Sequence, residues 1–199
     1  MKILNKNGEI VSEFKEFDDL TENNFVDLNL TDIDFKNKDF TKSIFTDCRF
    51  EDCNFENCKI SECNFKNSLI KNCNFQGAYG WRAKFNFCSI DGVNFSYTDF
   101  RESSFYNSYL SKVDFTFANL AEANFNEAEI EDSTFSNSLL HDCFLINADM
   151  NRVNFSFCTS INFLNFEQYS LDENKIKSKL ISKGNIFTID EDSYWDNKY

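Results

Sequence analysis

The chain has 199 residues, a length typical of one domain, and its 42% hydrophobic content is enough to form a core. Its net charge of −13 argues against nucleic acid as a direct ligand, because phosphate binding needs a basic surface, and favours a basic protein partner. No apolar run is long enough for a signal peptide or a membrane span, so we expect a cytoplasmic protein.

Residues 1–17 precede the repetitive part of the chain and are predicted to form an N-terminal cap. The run Lys2–Val11 predicts a β-hairpin around Asn7 and Gly8, because an Asn-Gly pair suits the tightest hairpin turns. Open strand edges pair with other chains unless something covers them. We therefore expect this hairpin to cover the structure that follows.

Residues 18–160 repeat with a period of five. Every residue from Leu20 to Phe155 whose number is a multiple of five is apolar, except Gly80. We call this position i. From residue 43 onward, position i−2 is always small or β-branched, and it contains all eight cysteines. Position i−1 is often Asn or Asp, while i+1 and i+2 are mostly polar. Neither the helical period of 3.6 nor the strand period of 2 produces this pattern.

The segments CNFEN (53–57), VDFTF (113–117) and ANFNE (123–127) resemble the pentapeptide-repeat family, whose pattern is small, Asn or Asp, Leu or Phe, polar, polar. The resemblance implies an all-β solenoid, a right-handed quadrilateral β-helix with four pentapeptides in each 20-residue coil. The i and i−2 side chains would point inward. The 28 central positions predict about seven coils and a rod of about 34 Å.

Sorting the central positions by a period of 20 supports this coil independently. Two opposite walls then consist almost entirely of phenylalanine, and the two walls between them are mainly aliphatic, which matches the volumes needed in a narrow interior. The phenylalanine walls are Phe35, Phe55, Phe75, Phe95, Phe115, Phe135 and Phe155, and Phe25, Phe45, Phe65, Phe85, Phe105 and Phe125, ending in Leu145. Gly80 interrupts an aliphatic wall, so we expect a kink or local thinning there.

Residues 161–199 are predicted to form a short helix, a short strand and an acidic tail. Ser170 to Glu173 match a capping box that opens a helix, and Gly184 suits its end. In the Qnr-like and MfpA-like branch of the family, such a module mediates head-to-head dimerisation. The resemblance implies a homodimer, and the alternative is a monomeric cap. The dimerising side chains would be Leu171, Ile176, Leu180 and Ile181.

The sequence contains no recognisable catalytic or metal-binding arrangement. Its one histidine, His141, occupies an outward position, and no triad can be built around it. The cysteines Cys48, Cys53, Cys58 and Cys63 fall on four different walls, so they cannot share one zinc ion. We predict buried free thiols, no cofactor, no metal and no enzymatic activity.

Charge on the outside of the rod points to a candidate acidic face. Residues 18–84 contain 12 acidic and 9 basic residues, whereas residues 85–157 contain 11 acidic and 3 basic residues. Charge can also serve solubility alone, and this alternative stays open. The candidate partner-binding residues, all at i+2, are Glu62, Glu102, Glu122, Asp142, Glu127 and Asp132.

Residues at i+2 that are twenty positions apart form one column along the rod. A second candidate surface is the fourth of these columns, which contains no charged residue. Tyr97, Phe117 and Phe157 would form an exposed aromatic row, a feature typical of contact surfaces. The alternative is that these rings only cover neighbouring turns.

The resemblance implies a DNA mimic that binds a type II topoisomerase, DNA gyrase or topoisomerase IV, and modulates it or protects it from quinolones or toxins. Stacked carboxylates on a narrow rod can replace phosphates in a basic groove. The chain lacks the projecting loops of the Qnr pattern, which makes it more similar to the MfpA pattern. The alternative function is a non-catalytic interaction scaffold with another partner.

Overall fold

The computed structural model describes residues 20–159 and 181–186, together with the backbone of residues 2–4 and 10–13. Within these residues all regular structure is β apart from the two helical positions Ile181 and Ser182. The strands are β1 (Lys2–Leu4), β2 (Ile10–Glu13), β3 (Asn29–Thr31), β4 (Arg49–Glu51), β5 (Leu69–Lys71), β6 (Ser89–Asp91), β7 (Tyr109–Ser111), β8 (Glu129–Glu131) and β9 (Asp149–Asn151).

Strands β3 to β9 stack in sequence order into a parallel sheet, which we call the strand wall. Each residue pairs with the residue twenty positions later, as in Leu30 with Phe50. The other three walls are joined by isolated parallel bridges with the same spacing, such as Asn24 with Ile44 and Asp34 with Asn54. The predicted all-β solenoid with a 20-residue coil is confirmed, and the seven strands of this wall are separated by six such steps.

Strands β1 and β2 pair antiparallel, with Ile3 opposite Ser12, and β1 lies beside β3 of the first coil. The turn at Asn7 and Gly8 lies outside the described residues. The domain boundaries and the capping role of residues 1–17 stay predictions.

The corners of the coil require an uncommon backbone conformation. All 28 residues at i+2, from Glu22 to Phe157, have φ between +49° and +68°. Only glycine adopts this left-handed region freely, and asparagine and aspartate tolerate it better than other residues. Thirteen of these positions are Asn or Asp and two are Gly, so part of the polar character of i+2 comes from the backbone.

Asparagine and aspartate at i−1 also serve the corners. The side-chain oxygen of Asn54 accepts a hydrogen bond from the backbone N–H of Glu56 at 3.1 Å, and Asn94 does the same for Ser96 at 2.9 Å. These residues give the turn a local partner for a backbone donor. The frequent Asn and Asp of the sequence pattern therefore have a structural role at both i−1 and i+2.

The core consists of two phenylalanine stacks that meet along the rod axis. Phe65 and Phe85 stack at 4.8 Å between ring centroids, and Phe55 and Phe75 stack at 4.4 Å. Phe65 contacts Phe75 of the opposite stack edge-on, with centroids 6.1 Å apart. Stacked and edge-on contacts are the favoured geometries of aromatic pairs, so the predicted opposition of the two walls is confirmed.

Most of the cysteine and serine side chains at i−2 are buried hydrogen-bond donors. The Cys58 thiol donates to the carbonyl oxygen of Phe35 at 2.9 Å, and the Ser68 hydroxyl donates to the carbonyl oxygen of Phe45 at 2.7 Å. Cysteine and serine therefore have the same role at these positions, where each gives a buried carbonyl a hydrogen-bond partner; the buried hydroxyl of Ser103 is an exception, with no partner among the described residues. All eight cysteines are free thiols, as predicted, and Cys158 is the least buried. Burial raises the pKa of Cys58 to about 12, which keeps this thiol protonated at neutral pH.

The backbone hydrogen bonds between neighbouring coils continue without interruption at Gly80. The N–H of Gly80 donates to Asp99 at 2.8 Å, and the bridges from Lys59 to Tyr79 and from Tyr79 to Asp99 keep their register. The Phe100 ring from the next coil fills the space, since a Cβ on Gly80 would lie 2.2 Å from its Cε1 atom. The expectation of a kink at Gly80 is wrong, because a neighbouring ring supplies the missing volume.

Residues 181–186 return to the solenoid and continue its pattern. The N–H of Arg152 donates to Lys183, and Gly184 at φ +78° takes the corner conformation of an i+2 residue. Buried Asn185 accepts from Val153 N–H at 2.8 Å and donates to the Met150 carbonyl at 3.0 Å. This segment therefore occupies a place on the stack one step beyond the last coil.

The predicted C-terminal helix falls largely outside the described residues. Leu171, Ile176 and Leu180 lie there, while Ile181 is helical and half-exposed. Dimerisation through these four residues stays a prediction.

Candidate partner-binding surface

The six predicted acidic residues lie on three walls. Glu62, Glu102, Glu122 and Asp142 share one column, in which neighbouring coils are separated by about 4.8 Å. Glu127 and Asp132 belong to the next two walls along the chain. The structure therefore brings four of the six residues into one line and places the other two elsewhere.

Arginine side chains neutralise two of these acids. Arg82 Nε donates to Glu102 at 2.7 Å, and Trp81 Nε1 donates to the other carboxylate oxygen at 3.1 Å. Arg152 binds both oxygens of Asp132, at 2.6 and 2.8 Å. The arginines hold the pKa of Glu102 and of Asp132 below the usual range, because their hydrogen bonds favour the ionised form. These carboxylates are ionised and fixed, but their charge is compensated.

The other four of the six acidic residues are more available for contact with a partner. Glu127 accepts hydrogen bonds from the Tyr106 hydroxyl at 2.9 Å and from Asn107 at 3.4 Å, which leaves it negative. Asp142 lies 2.9 Å from Nε2 of exposed His141. Glu62 and Glu122 are exposed and form no ion pair with the described part of the chain.

A further acidic surface lies on the strand wall, and the sequence interpretation missed part of it. In a strand whose central residue points inward, both flanking residues point outward, so i−1 and i+1 also contribute charge. The carboxylates of Asp91 and Glu129 form no hydrogen bond or ion pair with the described residues, while the Tyr109 hydroxyl donates to Glu131 and Lys183 binds Asp149. We call this surface, together with the corner residue Glu127 that precedes β8, the acidic strand face: Asp91, Glu127, Glu129, Glu131, Asp132 and Asp149.

The acidic half of the rod, residues 85–157, has a linear charge density close to that of duplex DNA. Its 73 residues at 20 per coil span about 17 Å, with coils about 4.8 Å apart. A net charge of −8 over this length is one charge in about 2 Å. Duplex DNA has one charge in about 1.7 Å of its axis. Residues 18–84, with a net charge of −3 over a similar length, have less than half this density.

The predicted aromatic row is exposed, but only two of its rings touch. Tyr97 and Phe117 stack with centroids 5.1 Å apart and planes 18° apart. Phe157 lies two coils beyond Phe117, and Asn137 stands between them in the column. About half of each of the three side chains is exposed. The row is therefore a stacked pair and a separate ring.

Metal sites with three or more protein ligands and membrane-spanning helices are both absent from the described residues. No group of three or more His, Cys, Asp or Glu side chains there is arranged to hold a metal ion. Among the same residues, no helix has the length and apolar character needed to cross a membrane.

Solved structures similar to this chain include other pentapeptide repeat proteins. QnrB1, a plasmid-mediated fluoroquinolone resistance protein, is 14% identical over 87% of each chain, with a TM-score of 0.40. A pentapeptide repeat protein of the Arabidopsis thaliana thylakoid lumen is 24% identical over 48% of this chain and 63% of its own, with a TM-score of 0.42. HetL from Nostoc sp. strain PCC 7120 is 13% identical over 69% of this chain and 76% of its own, with a TM-score of 0.40.

Sequence comparison assigns the family directly. No curated protein sequence matches the chain. The profile described as a pentapeptide repeat region matches residues 48–125 and 81–155, and the profile of eight pentapeptide repeats matches residues 24–61. Together they cover well over half of the chain. The chain therefore belongs to the pentapeptide-repeat family.

Proposed function

We propose that this protein is a non-catalytic, cytoplasmic rod that binds a type II topoisomerase, DNA gyrase or topoisomerase IV, in place of duplex DNA. The observation that supports this function is the charge density of the acidic half, which approaches that of a DNA duplex. A basic groove that binds DNA attracts any narrow body with this density of negative charge.

The rigidity of the coil supports the same function. Carboxylates on the acidic strand face are held by parallel strands in fixed register or at the adjoining corners, and some are fixed further by hydrogen bonds from uncharged side chains, as Glu127 is by Tyr106. Fixed charges lose little conformational freedom when a partner binds, so more of the electrostatic attraction contributes to affinity.

Protection from quinolones or toxins would follow if the rod competes with the DNA segment on which those agents act. Coils without projecting loops, as described between residues 20 and 159, leave the rod surface itself as the contact. A homodimer joined through Leu171, Ile176, Leu180 and Ile181 would bring two acidic halves together and double the length of the mimic. A monomeric cap at this end would leave a single acidic half.

A supercoiling assay with purified gyrase tests this function. We expect added protein to reduce the rate at which gyrase supercoils relaxed plasmid, with an effect that weakens as salt is raised, because exposed charges are screened. Unchanged supercoiling by gyrase, together with unchanged relaxation by topoisomerase IV, at protein concentrations well above that of either enzyme would reject the proposal.

The second candidate function is an interaction scaffold with another protein partner. The exposed pair of Tyr97 and Phe117 favours it, because aromatic side chains contribute strongly to protein interfaces. Phe157 extends this surface toward the C-terminal end. If gyrase and topoisomerase IV are unaffected, these three rings are the first residues to replace in a search for the partner.

A further inference from the structure

Two cysteines lie directly above one another in one wall of the rod. Cys53 and Cys73 are the only two cysteines of the chain that are twenty positions apart, so they occupy i−2 in neighbouring coils. The β-bridge of Asn54 with Asn74 and the hydrogen bond from the Asn74 N–H to the Cys53 carbonyl at 2.9 Å hold these two levels in register. The Cα atoms of the two cysteines are therefore about 4.8 Å apart, and their Cα–Cβ bonds point the same way.

The two thiols contact each other inside the rod. Cys53 and Cys73 are 1% and 2% exposed. The hydrogen bond between their side chains holds the pKa of Cys53 below its usual range and raises the pKa of Cys73. The Cys53 thiol also donates to the Leu30 carbonyl at 3.2 Å, and the Cys73 thiol donates to the Lys71 carbonyl at 3.3 Å. The two sulfur atoms are therefore close enough to share one ligand.

Apolar side chains close the pair on both sides along the rod. The i−2 residue one coil earlier is Ile33, which packs against the core, and the i−2 residue one coil later is Val93, which is 1% exposed. No third histidine, cysteine or carboxylate among the described residues joins the two thiols in a metal-binding group. The pair therefore offers two sulfur ligands in an apolar environment, where a complex without net charge is favoured.

The spacing of the two thiols suits a linear metal bridge better than a disulfide. A disulfide needs sulfur atoms about 2 Å apart, which parallel side chains at the spacing of the coils oppose. Two metal–thiolate bonds in a line, each about 2.3 Å as for zinc, span about 4.6 Å. This span is close to the about 4.8 Å between coils. An ion that binds two thiolates in a line can therefore bridge the pair without moving the backbone.

Coordination number and charge select among the ions that bind thiolates. Zinc takes four ligands in its structural sites, two more than this pair provides. Monovalent copper would leave one negative charge on its complex with two thiolates, which is costly in an apolar core. The mercuric ion is soft and divalent and takes two thiolates in a line, so its complex with the pair is neutral.

We propose that Cys53 and Cys73 bind one mercuric ion in linear coordination between two neighbouring coils. As the ion binds, two S–H bonds break, two mercury–sulfur bonds form and two protons pass to solvent. The sequence-based prediction of no metal considered zinc and cysteines on four different walls, whereas these two cysteines share one wall. The site lies inside the rod, so it does not depend on the acidic strand face or on a topoisomerase partner.

Native mass spectrometry of the full chain after treatment with mercuric chloride tests the site. Excess mercaptoethanol, a monothiol, competes for any ion held by a single cysteine, whereas two thiolates fixed on one scaffold bind with a high effective concentration. We expect the wild type to retain one mercury atom with the loss of two protons and without bound competitor. Retention of no mercury, or of mercury only with mercaptoethanol attached, would overturn the proposal.

Serine variants separate the pair from the other cysteines. Cys53→Ser and Cys73→Ser should bind mercury about a hundredfold more weakly, and they should fold because serine occupies the same buried position at Ser68. Cys58→Ser is the matched control, because no cysteine lies twenty positions from Cys58, and it should retain the ion as the wild type does. Loss of mercury from Cys58→Ser, or its retention by either of the other variants in a folded state, would contradict the proposal.

X-ray absorption at the mercury edge of the loaded wild type tests the coordination without any variant. We expect two sulfur neighbours at about 2.3 Å and no third ligand. Three or four sulfur neighbours, or one sulfur with chloride or oxygen, would overturn the linear bridge. Because mercuric chloride is the probe in both measurements, their outcome is independent of any effect on gyrase.

Discussion

Replacing Gly80 with leucine is expected to lower the melting temperature by roughly 2–12 °C. A Cβ at Gly80 would lie 2.2 Å from Cε1 and 2.5 Å from Cδ1 of Phe100, and 3.3 Å from Cγ1 of Ile60. The Phe100 ring cannot move away easily, because it is fully buried and its centroid lies 5.2 Å from that of Phe95. Overpacking of a dense core costs about 1–3 kcal/mol, and each kcal/mol lowers the melting temperature of a chain of this size by about 2–4 °C.

A second substitution should restore the lost stability. Phe100→Leu alone removes the ring that fills the space at Gly80 and leaves a cavity, at a cost of about 1–3 kcal/mol. In Gly80→Leu/Phe100→Leu the two side chains match the leucines of the same column at Leu120 and Leu140, so the double variant should be more stable than either single variant. A melting temperature for Gly80→Leu equal to or above that of the wild type would show that Phe100 does not occupy this space.

Reversing three charges on the acidic half is expected to abolish the effect on gyrase while leaving the fold intact. Asp91→Lys, Glu122→Lys and Glu129→Lys change carboxylates that have no partner among the described residues, and Lys42 and Lys112 show that lysine accepts the corner conformation of Glu122. The net charge of residues 85–157 changes from −8 to −2. At about 1 kcal/mol for each exposed charge contact, three reversals weaken binding by roughly a hundredfold.

The matched control makes the same change of charge in the other half. Asp32→Lys, Asp47→Lys and Asp52→Lys change three exposed corner residues in residues 18–84, of which Asp47 and Asp52 accept hydrogen bonds from Asn67 and Asn72. This control should keep most of the effect on supercoiling, measured beside the melting temperature of both variants. Equal loss in the two triple variants would mean that total charge, not the acidic half, determines binding. Glu102 is excluded from the set because its replacement would also release Arg82 and Trp81.

The fold could be predicted because each position of the repeat has one dominant physical demand. Burial selects large apolar side chains at i, as at Phe65, and small ones at i−2, as at Cys63, so the period appears directly in the sequence. The packing around Gly80 could not be predicted, because a missing side chain does not reveal which neighbouring residue fills the space. The pairing of Ile186 with the last coil could not be predicted either, because this residue forms a β-bridge with Asn154 across 32 positions instead of 20.

The candidate site was harder to predict, because the residue type at an outward position depends on the backbone conformation as well as on contact with a partner. The left-handed corner itself favours aspartate and asparagine, so an acidic i+2 residue such as Asp132 is weak evidence for a partner. The ion pair of Arg82 with Glu102 could have been found, because residues twenty apart in one column are neighbours. The contribution of Glu129 and Asp91 was missed because only i+2 was considered, although i−1 and i+1 of the strand wall also point outward.

Competition between this protein and duplex DNA for gyrase tests the central claim most directly. A fluorescently labelled duplex bound to gyrase should be displaced by the wild-type protein, and the midpoint of displacement should move to higher protein concentration for the variant with Asp91, Glu122 and Glu129 changed to lysine. Low salt should favour binding of the rod, because screening shortens the reach of its charges. Binding to gyrase that leaves the duplex in place, or displacement that is equal for the wild type and this variant, would contradict the account.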